Sequence, residues 1–295
     1  MLKLESLKTY VLVVETGSFS AAAHRLGCSQ PAVSLQIKQL ETTVGAKLVE
    51  RVGKVARPTA AGGELLGHAR RLLGAADTLM SAMASHSSQV IGRVSIGTGT
   101  TACLYFLPET LRMLRGRYPD LQVLVRTGNT VDFVKAVEDN VLDMALVTLP
   151  VRSRALTTID LLVDKFVAVS PGDMRIPDHK VTPRGLSGQK LVLFDPAANT
   201  RKLIDDWFVK GGAPAKAIME LGSVEAIKGM VEAGLGCSII PAMALPAGTA
   251  RCQVHSLAPG LQRKLALILR NDKPVTQAMR HVIEALRMQA RRRPP

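Results

Sequence analysis

Aromatic residues and cysteines are scarce in this chain of 295 residues. Phe, Trp and Tyr make up 3% of the sequence, and there are four cysteines. These cysteines, at positions 28, 103, 237 and 252, lie far apart, form no Cys-x-x-Cys pair and are not accompanied by a histidine cluster. The spacing argues against a disulfide framework and against a zinc site. We therefore expect no metal and no resident cofactor.

Long hydrophobic runs are also lacking. The apolar segment from Val11 to Val14 is short and is followed by Glu15. The uncharged stretch from Leu235 to Ala250 contains glycines and two prolines. A membrane-spanning helix needs about 20 apolar residues, and no signal cleavage site follows the first segment. We expect a cytoplasmic protein with no membrane partner.

Acidic residues are few beside basic ones. The chain has 38 lysines and arginines against 24 aspartates and glutamates, a formal net charge of +14. This excess favours an anionic partner, although the basic residues are spread along the whole chain. A hydrophobic content of 47% with 21% charged residues indicates a globular protein. The length is sufficient for two domains.

Residues 17–57 have the spacing of a helix-turn-helix followed by a basic wing. Gly17 should end a first helix, Ser18 can cap a second that ends at Gly27, and Ser29 can cap a third that has Pro31 in its first turn. The apolar stripes of the three helices are Leu4, Leu7, Tyr10, Val11 and Val14; Phe19, Ala22, Ala23 and Leu26; and Val33, Ile37, Leu40 and Val44.

The opposite face of the third helix suits the major groove of duplex DNA. It carries Gln30, Pro31, Ser34, Leu35 and Lys38. A glutamine can pair with adenine, a serine can donate or accept a hydrogen bond, and a lysine can hold a phosphate or a guanine. The alternative is a solvated face on an ordinary three-helix packing module.

A basic wing after the third helix favours the DNA interpretation. Lys47, Arg51, Lys54 and Arg57 follow one another closely, and Gly53 predicts a turn between two short strands. Cations in such a wing would flank the groove and contact phosphates, which adds affinity without reading sequence.

Three segments resemble the N-terminal domain of LysR-type transcriptional regulators: SFSAAAHRLGCSQPAVSLQIKQLE, VGAKLVER and RPTAAG. The resemblance extends to the length and order of the rest of the chain. It implies that the third helix reads the major groove and that the wing meets the minor groove. Recognition then falls to Gln30, Pro31 and Ser34, and backbone contact to Arg51 and Arg57. The full expected DNA-binding set is Ser18, Phe19, Ser29, Gln30, Pro31, Ser34, Leu35, Lys38, Arg51, Lys54 and Arg57.

Two positions depart from the pattern of that family. Leu35 stands where the family often has arginine, which removes a base or phosphate contact and leaves the operator sequence open. Val49 stands where the family usually has phenylalanine, which we interpret as a repacked core position.

A long helix is predicted from Pro58 to Ser88. Its apolar residues follow a heptad pattern, which favours a left-handed coiled coil and hence a homodimer or homotetramer. The alternative is an amphipathic helix packed on its own domain. The seam residues are Leu65, Ala69, Leu72, Ala76, Leu79 and Met83, with Leu66, Leu73 and Met80 beside them. We expect a winged helix-turn-helix over 1–58, a linker helix over 59–88 and an effector domain over 91–295.

Strand and helix patterns alternate in the remainder, which predicts a parallel α/β sheet. The expected strands are 93–97, 121–127, 144–149, 191–194, 218–221, 237–240 and 265–269, and the expected helices are 104–115, 131–138, 199–210, 224–232 and 275–291. By resemblance to the family, the fold is α+β overall, with a two-lobed α/β effector domain like a periplasmic binding protein. Lobe I would cover about 91–162 and 266–295, and lobe II about 163–265.

Polar residues follow the predicted strands, where ligands bind in such folds. Several helix N-termini facing one cleft would suit a small carboxylate or another oxyanion. Arg201 is the one full cation among them, and Glu225 could recognise an ammonium group. The candidate set for a small-molecule co-inducer is Thr98, Gly99, Thr100, Thr101, Asn129, Thr130, Thr148, Asn199, Thr200, Arg201, Ser223 and Glu225. Taken singly, each Ser or Thr could be a plain helix cap.

Two other functions fit parts of the sequence. Gly97, Gly99 and Ala102 spell G-x-G-x-x-A, and Arg126 ends the next strand, which would fit an NADP-dependent enzyme. No catalytic base stands near that motif, so we expect no enzyme. Peroxide-responding family members use a cysteine pair in the second lobe, whereas the comparable loop here, DPAANTR, has none. The expectation is a ligand-responsive regulator that binds double-stranded DNA and itself, with RNA polymerase as a further partner.

Overall fold

The computed structural model describes residues 2–53, 55–84, 90–172, 180–245 and 252–292. The chain forms two compact units, Met1–Ser87 with Asp139–Val141 and Ser88–Glu138 with Leu142–Pro295. No helix among the described residues is both long and apolar enough to cross a membrane.

The first unit is a three-helix bundle with a two-stranded hairpin and a long helix. Its elements are α1 (Leu4–Thr16), α2 (Phe19–Leu26), α3 (Gln30–Val44), β1 (Val49–Val52), β2 (Val55–Pro58) and α4 (Ala60–Ala84). The predicted helix ends are confirmed. Gly17 and Gly27 end α1 and α2 in the left-handed conformation, with φ of 63° and 65°. Ser18 Oγ accepts from Ala21 N at 3.3 Å, and Ser29 Oγ accepts from Ala32 N at 3.4 Å.

The core of this unit matches the predicted stripes except at two helix ends. Leu7, Tyr10, Val33, Ile37 and Leu40 are buried together. The expectation that Leu4 and Val44 belong to the buried stripes was wrong, because both side chains are exposed. Leu4 is the first residue of α1 and Val44 is the last residue of α3. A side chain at the end of a helix has fewer neighbouring residues to cover it.

The predicted apolar seam of α4 is partly buried against the three-helix core and partly exposed. Ala69 is fully buried against the three-helix core, with Leu65, Leu66 and Leu73 packed beside it. The apolar side chains of Leu72, Leu79 and Met80 are exposed. Part of the seam therefore packs on its own unit, as in the alternative interpretation. Met83 and Ser88 belong to stretches for which side chain or backbone is not described.

The second unit combines helices with a large mixed sheet. Its strands are β3 (Gly92–Thr98), β4 (Leu121–Thr127), β5 (Met144–Thr148), β6 (Leu156–Pro171), β7 (Lys180–Val181), β8 (Leu191–Phe194), β9 (Ala217–Leu221), β10 (Ser238–Pro241), β11 (Cys252–Leu257) and β12 (Gln262–Arg270). Its helices are α5 (Thr100–Tyr105), α6 (Leu107–Arg117), α7 (Thr130–Glu138), α8 (Pro183–Ser187), α9 (Asn199–Lys210), α10 (Val224–Glu232) and α11 (Gln277–Arg292), with a 3-10 turn at Ala242–Ala244.

The expectation of a parallel sheet was right for only some of these strands. β3 pairs parallel with β4 and β5, and β8 pairs parallel with β9. However, β12 runs antiparallel to both β5 and β6, and β10 and β11 run antiparallel to β6. The sheet is mixed because β12 lies between β5 and β6 and runs antiparallel to both. Sequence reasoning missed β6, a strand of 16 residues that pairs with strands from both halves of the unit.

Three hydrophobic clusters lie among the described residues of this unit: a small one packs α7 against β5 and β12, and two larger ones define two lobes. One of the larger clusters is built around β3, β5, β12 and α11, and we call the elements around it the first lobe. The other is built around β8, β10, α9 and α10, and we call the elements around it the second lobe. β6 contributes Ile159 and Leu161 to the first cluster and Phe166 and Ala168 to the second, so it joins the lobes.

Candidate functional site

The outer face of α3 presents the residues expected to read bases. Pro31, Leu35 and Lys38 are exposed there. Gln30 Nε2 donates to Ser34 Oγ at 2.7 Å, one turn further along the helix. This bond leaves Gln30 Oε1 as an acceptor and the Ser34 hydroxyl proton as a donor. That pair matches the amino donor and N7 acceptor that adenine shows in the major groove.

The wing is fixed to the helices by contacts of its own. The Arg51 guanidinium lies 5.5 Å from the centroid of the Phe19 ring on α2. Arg57 lies opposite Glu50 in the register of the hairpin, and its side chain is exposed like that of Arg51. Both arginines are therefore accessible on the surface of the wing, and Phe19 supports one of them. Lys54, also predicted to bind DNA, lies outside the described residues.

Lys47 has a structural partner. Its Nζ lies 3.0 Å from Glu41 Oε2, while Glu41 Oε1 accepts from Leu48 N at 2.9 Å. Burial opposes the charge of Glu41, but these backbone and lysine contacts hold the pKa of its carboxyl below the usual value. The interaction ties the end of α3 to the start of β1.

A cavity of about 340 Å³ lies where the first-lobe strands β3 and β5 and the second-lobe strand β8 end. The N-termini of α5, α7 and α9 open onto it. It is lined by Gly99, Thr100, Thr101, Ala102, Gly128, Asn129, Thr130, Leu146, Val147, Thr148, Phe194, Asp195, Ala197, Ala198, Asn199, Thr200, Gly222, Val224, Arg263 and Leu265.

The cavity brings together eight of the twelve candidate effector residues. These are Gly99, Thr100, Thr101, Asn129, Thr130, Thr148, Asn199 and Thr200. Asn199 Nδ2 donates to Thr148 O at 3.4 Å, so the two lobes already touch across it. The Asn129 side chain caps α7 by accepting from Asp132 N at 2.9 Å. The set therefore supplies hydroxyls, amides and helix N-termini from both lobes.

Arg201 lies outside the lining, contrary to the expectation that it would face a ligand. Its guanidinium donates to Phe194 O at 2.7 Å, to Asp205 Oδ1 at 2.8 Å and to Glu220 Oε1 at 2.9 Å. Burial opposes its charge, but the two carboxylates raise the pKa of Arg201 above its usual value. The side chain joins α9 to β8 and β9 and has a structural explanation.

Three more candidates lie outside the lining. Glu225 accepts hydrogen bonds from the Tyr105 hydroxyl and from Lys228 Nζ, so its carboxylate is held between α5 and α10. Ser223 caps α10 by accepting from Glu225 N at 3.3 Å. Thr98 is fully buried at the end of β3. For Ser223, the plain helix cap is the role that its contacts explain.

Two family models match this chain. One, described as the bacterial regulatory helix-turn-helix protein of the lysR family, matches residues 4–63, and the other, described as the LysR substrate binding domain, matches residues 87–291. The chain belongs to the LysR family. It is a DNA-binding transcriptional regulator with an effector-binding domain.

Similar proteins support this assignment over nearly the whole length. The HTH-type transcriptional regulator CbbR of Xanthobacter flavus is 32% identical over 290 residues, which cover 95% of this chain and 87% of CbbR. The fold matches a full-length, singly substituted OxyR from Pseudomonas aeruginosa with a TM-score of 0.78, at 22% identity, over 99% of this chain and 98% of that one. It also matches full-length CbnR complexed with its target DNA, with a TM-score of 0.68, at 21% identity, over 98% and 100%.

Sequence reasoning missed both charged residues in the lining of this LysR-family cavity, Asp195 and Arg263. Arg263 on β12 is buried and lines it, and its Nη1 donates to Thr200 Oγ1 at 3.1 Å. Its Nε donates to Asp164 Oδ2 at 2.9 Å, and Asp164 lies opposite it on β6. Burial lowers the pKa of Arg263, while Asp164 opposes that shift. A guanidinium remains protonated even so.

The sequence carried only a weak signal for the burial of Arg263. The strand QRKLALILR carries two adjacent cations at its start, and alternation would have placed one of them on the inner face. The buried partner Asp164 belongs to β6, which was not recognised as a strand, so the pair could not be anticipated.

The glycine motif that suggested an NADP enzyme has a packing explanation at its first position. A Cβ on Gly97 would lie 2.5 Å from Phe133 Cδ1 and 2.8 Å from Leu142 Cδ1. Gly97 is therefore required for α7 to pack on β3. The helix that follows, α5, has six residues, and Arg126 is exposed at the end of β4.

All four cysteines fall within the described residues, and none forms a disulfide there. Burial raises the pKa of both the Cys237 and the Cys252 thiols, which disfavours the reactive thiolate. Across the described ranges, no group of three or more histidine, cysteine or acidic side chains could hold a metal ion.

Proposed function

We propose that this LysR-family regulator binds a small anion, such as a carboxylate, in the cavity between the lobes, and that the anion alters its binding to operator DNA. We further propose that it acts in the cytoplasm as a homodimer or homotetramer, by regulation and not by catalysis, with RNA polymerase as a further partner. The observation that carries the proposal is the cavity itself, with donors from both lobes and a buried arginine.

The lining favours an oxyanion. Thr100, Thr148 and Thr200 offer hydroxyl donors, and α7 and α9 direct N-terminal amides towards the same space. Arg263 adds a guanidinium whose charge is shared with Asp164. The other charged residue of the lining, Asp195, is exposed and accepts from Ala197 N at 2.8 Å. A carboxylate could bind several of these donors at once.

A ligand held by both lobes would favour one arrangement of them over another. Thr148 belongs to the first lobe, and Asn199 and Thr200 belong to the second. A ligand shifts such an equilibrium only by its difference in affinity for the two states. Binding across the cavity supplies that difference, since an open arrangement would offer donors from one lobe only.

Self-association is supported by the linker helix. Leu72 and Leu79, which are seven residues apart, and the adjacent Met80 leave apolar surface exposed along α4. A second copy of the same helix would bury these side chains and hold two DNA-reading units at a fixed separation.

The experiment is a titration of small carboxylates, sulfate and phosphate into the complex of full-length regulator with a duplex selected from a random library. Affinity and footprint are both recorded. At least one anion should change them, and Thr148→Val should weaken that response about fivefold because one hydrogen bond is lost. Thr127→Val is the matched control, since Thr127 ends the neighbouring strand β4 outside the lining.

Two results would contradict the proposal. One is that every anion tested leaves both affinity and footprint unchanged. The other is that the Thr148→Val and Thr127→Val variants respond alike to the same anion, which would locate the site elsewhere.

A further inference from the structure

Leu35 is an exposed apolar side chain on the helix that this family uses to read DNA. It is 56% exposed. The buried stripe of α3 consists of Val33, Ile37 and Leu40. At about 100° per residue, Leu35 points about 200° away from Val33, which is the side opposite the core. Leu35 lines an open surface pocket of about 530 Å³ beside Leu2 and Ser6, at the start of α1, but it is not part of the hydrophobic core of the unit.

Most neighbours of Leu35 along this face of α3 are polar. Gln30 and Ser34 are hydrogen-bonded to each other, and Lys38 is exposed one turn further along. Pro31, one turn before Leu35, is also exposed. A single exposed leucine on a surface is ordinary. Leu35, however, lies on the outer face of the helix that enters the major groove in helix-turn-helix proteins.

Leucine can contribute only apolar contact to base recognition. It has no donor or acceptor, so it cannot form the bidentate bond to guanine that an arginine would form. The apolar group that base pairs display in the major groove is the C5-methyl of thymine. We propose that Leu35 selects a T·A pair in each half-site by packing against that methyl group.

This inference rests on the DNA-binding function of the family and not on the effector cavity. Gln30 and Ser34 can satisfy an adenine beside the thymine, so the same helix face would favour consecutive A·T pairs. The cavity proposal and the Leu35 proposal can therefore fail independently.

The test combines a protein change with removal of one methyl group from the DNA. The wild-type regulator first selects sites from a random duplex library, and each dT of one half-site is then replaced by deoxyuridine. At one position, the replacement should weaken wild-type binding about fourfold, the value expected for burying one methyl-sized group. The Leu35→Ala variant should bind the two duplexes equally at that position.

Two further variants keep the test decisive. Leu35→Met retains an apolar side chain and should keep the preference for thymine over deoxyuridine. Val44→Ala is the matched control, since Val44 is an exposed apolar residue at the end of the same helix and is turned away from the outer face. It should leave the preference unchanged. Selection with Leu35→Arg should replace the T·A pair with one that presents guanine.

Three results would overturn the proposal. The selected half-sites could lack an invariant T·A pair, or wild-type binding could be indifferent to deoxyuridine at every position. Alternatively, Leu35→Ala could keep the full wild-type ratio between the two duplexes. If Leu35→Ala fails to fold, the deoxyuridine scan of the wild type and the Leu35→Met variant still decides.

Discussion

Removing the charge of Asp164 should destabilise the effector-binding domain. Asp164 and Arg263 face each other across β6 and β12, with side chains that are each 4% exposed and a closest N–O distance of 2.8 Å. Asp164 Oδ1 also accepts from Met243 N at 3.2 Å. The substitution Asp164→Asn keeps the shape and leaves the guanidinium buried without its counter-charge.

The cost follows from the geometry. At 2.8 Å and an effective dielectric constant of about 20, the attraction between the two charges is about 6 kcal/mol. Desolvation offsets much of this while both partners are present, so the intact pair contributes little net stability. Removing the charge of Asp164 leaves Arg263 buried without a counter-charge, so we expect the free energy of unfolding to fall by about 3–5 kcal/mol. The double variant Asp164→Leu with Arg263→Met should recover most of that loss.

The assay is urea unfolding of the full-length regulator followed by tryptophan fluorescence. The one tryptophan of the sequence, Trp207, is buried in the second lobe and donates to Pro259 O at 2.6 Å. Its emission therefore reports on unfolding of the effector-binding domain. Glu109→Gln is the control, since Glu109 pairs with Arg112 on the surface of α6 and should show no resolvable change.

The role assigned to the buried pair would be refuted if Asp164→Asn and Glu109→Gln had the same effect on unfolding. It would also be refuted if the double variant were less stable than Asp164→Asn, because that result would mean that the intact pair supplies a large net stabilisation.

Three further predictions concern the DNA-binding unit. Replacing Arg51 and Arg57 together by alanine should reduce the slope of log affinity against log salt by about two for each bound head, and an unchanged slope would exclude both as phosphate contacts. Burial raises the pKa of Tyr10 to about 12 from its usual 10.0, so the folded state should lose stability as pH rises between these values, and Tyr10→Phe should make that loss smaller in urea unfolding. Gly62→Ala should lower stability by about 1–3 kcal/mol, because its Cβ would lie 2.1 Å from a main-chain oxygen, whereas Gly63→Ala, with no atom within 4 Å, should be tolerated in thermal unfolding.

The helices of the DNA-binding unit could be predicted from local signals. Ser18 and Ser29 cap their helices, and Gly17 and Gly27 end theirs, because each of these roles depends on a few neighbouring residues. The same holds for α9 and α10 in the second lobe, whose predicted limits agree with the structure. Side chains at helix ends, such as Val44, could not be placed because their burial depends on where other elements stop.

Local sequence patterns could not predict the mixed sheet. β6 extends over 16 residues with both polar and apolar positions, so neither strict alternation nor a continuous apolar run marks it. Its pairing with β12 brings Asp164 to Arg263 from 99 positions away. No periodicity in the sequence records such a contact.

There is a physical reason why some candidate effector residues line the cavity and others do not. A position at a strand end or a helix start can be inferred from sequence, and eight of the residues chosen that way line the cavity. The direction of a long side chain cannot be inferred in the same way. Arg201 turns towards Asp205 and Glu220, and Glu225 turns towards Tyr105 and Lys228. These two charged residues therefore have partners within the fold.

Sequence-specific DNA binding is tested most directly by fluorescence anisotropy of the purified regulator with the duplex upstream of its own gene, beside a scrambled duplex, at low and moderate salt. Base reading by α3 predicts a preference for the native duplex that survives moderate salt, because base contacts do not depend on counterion release. Equal affinities for the two duplexes, falling together as salt rises, would contradict it. The binding would then be non-specific attraction due to the net charge of +14.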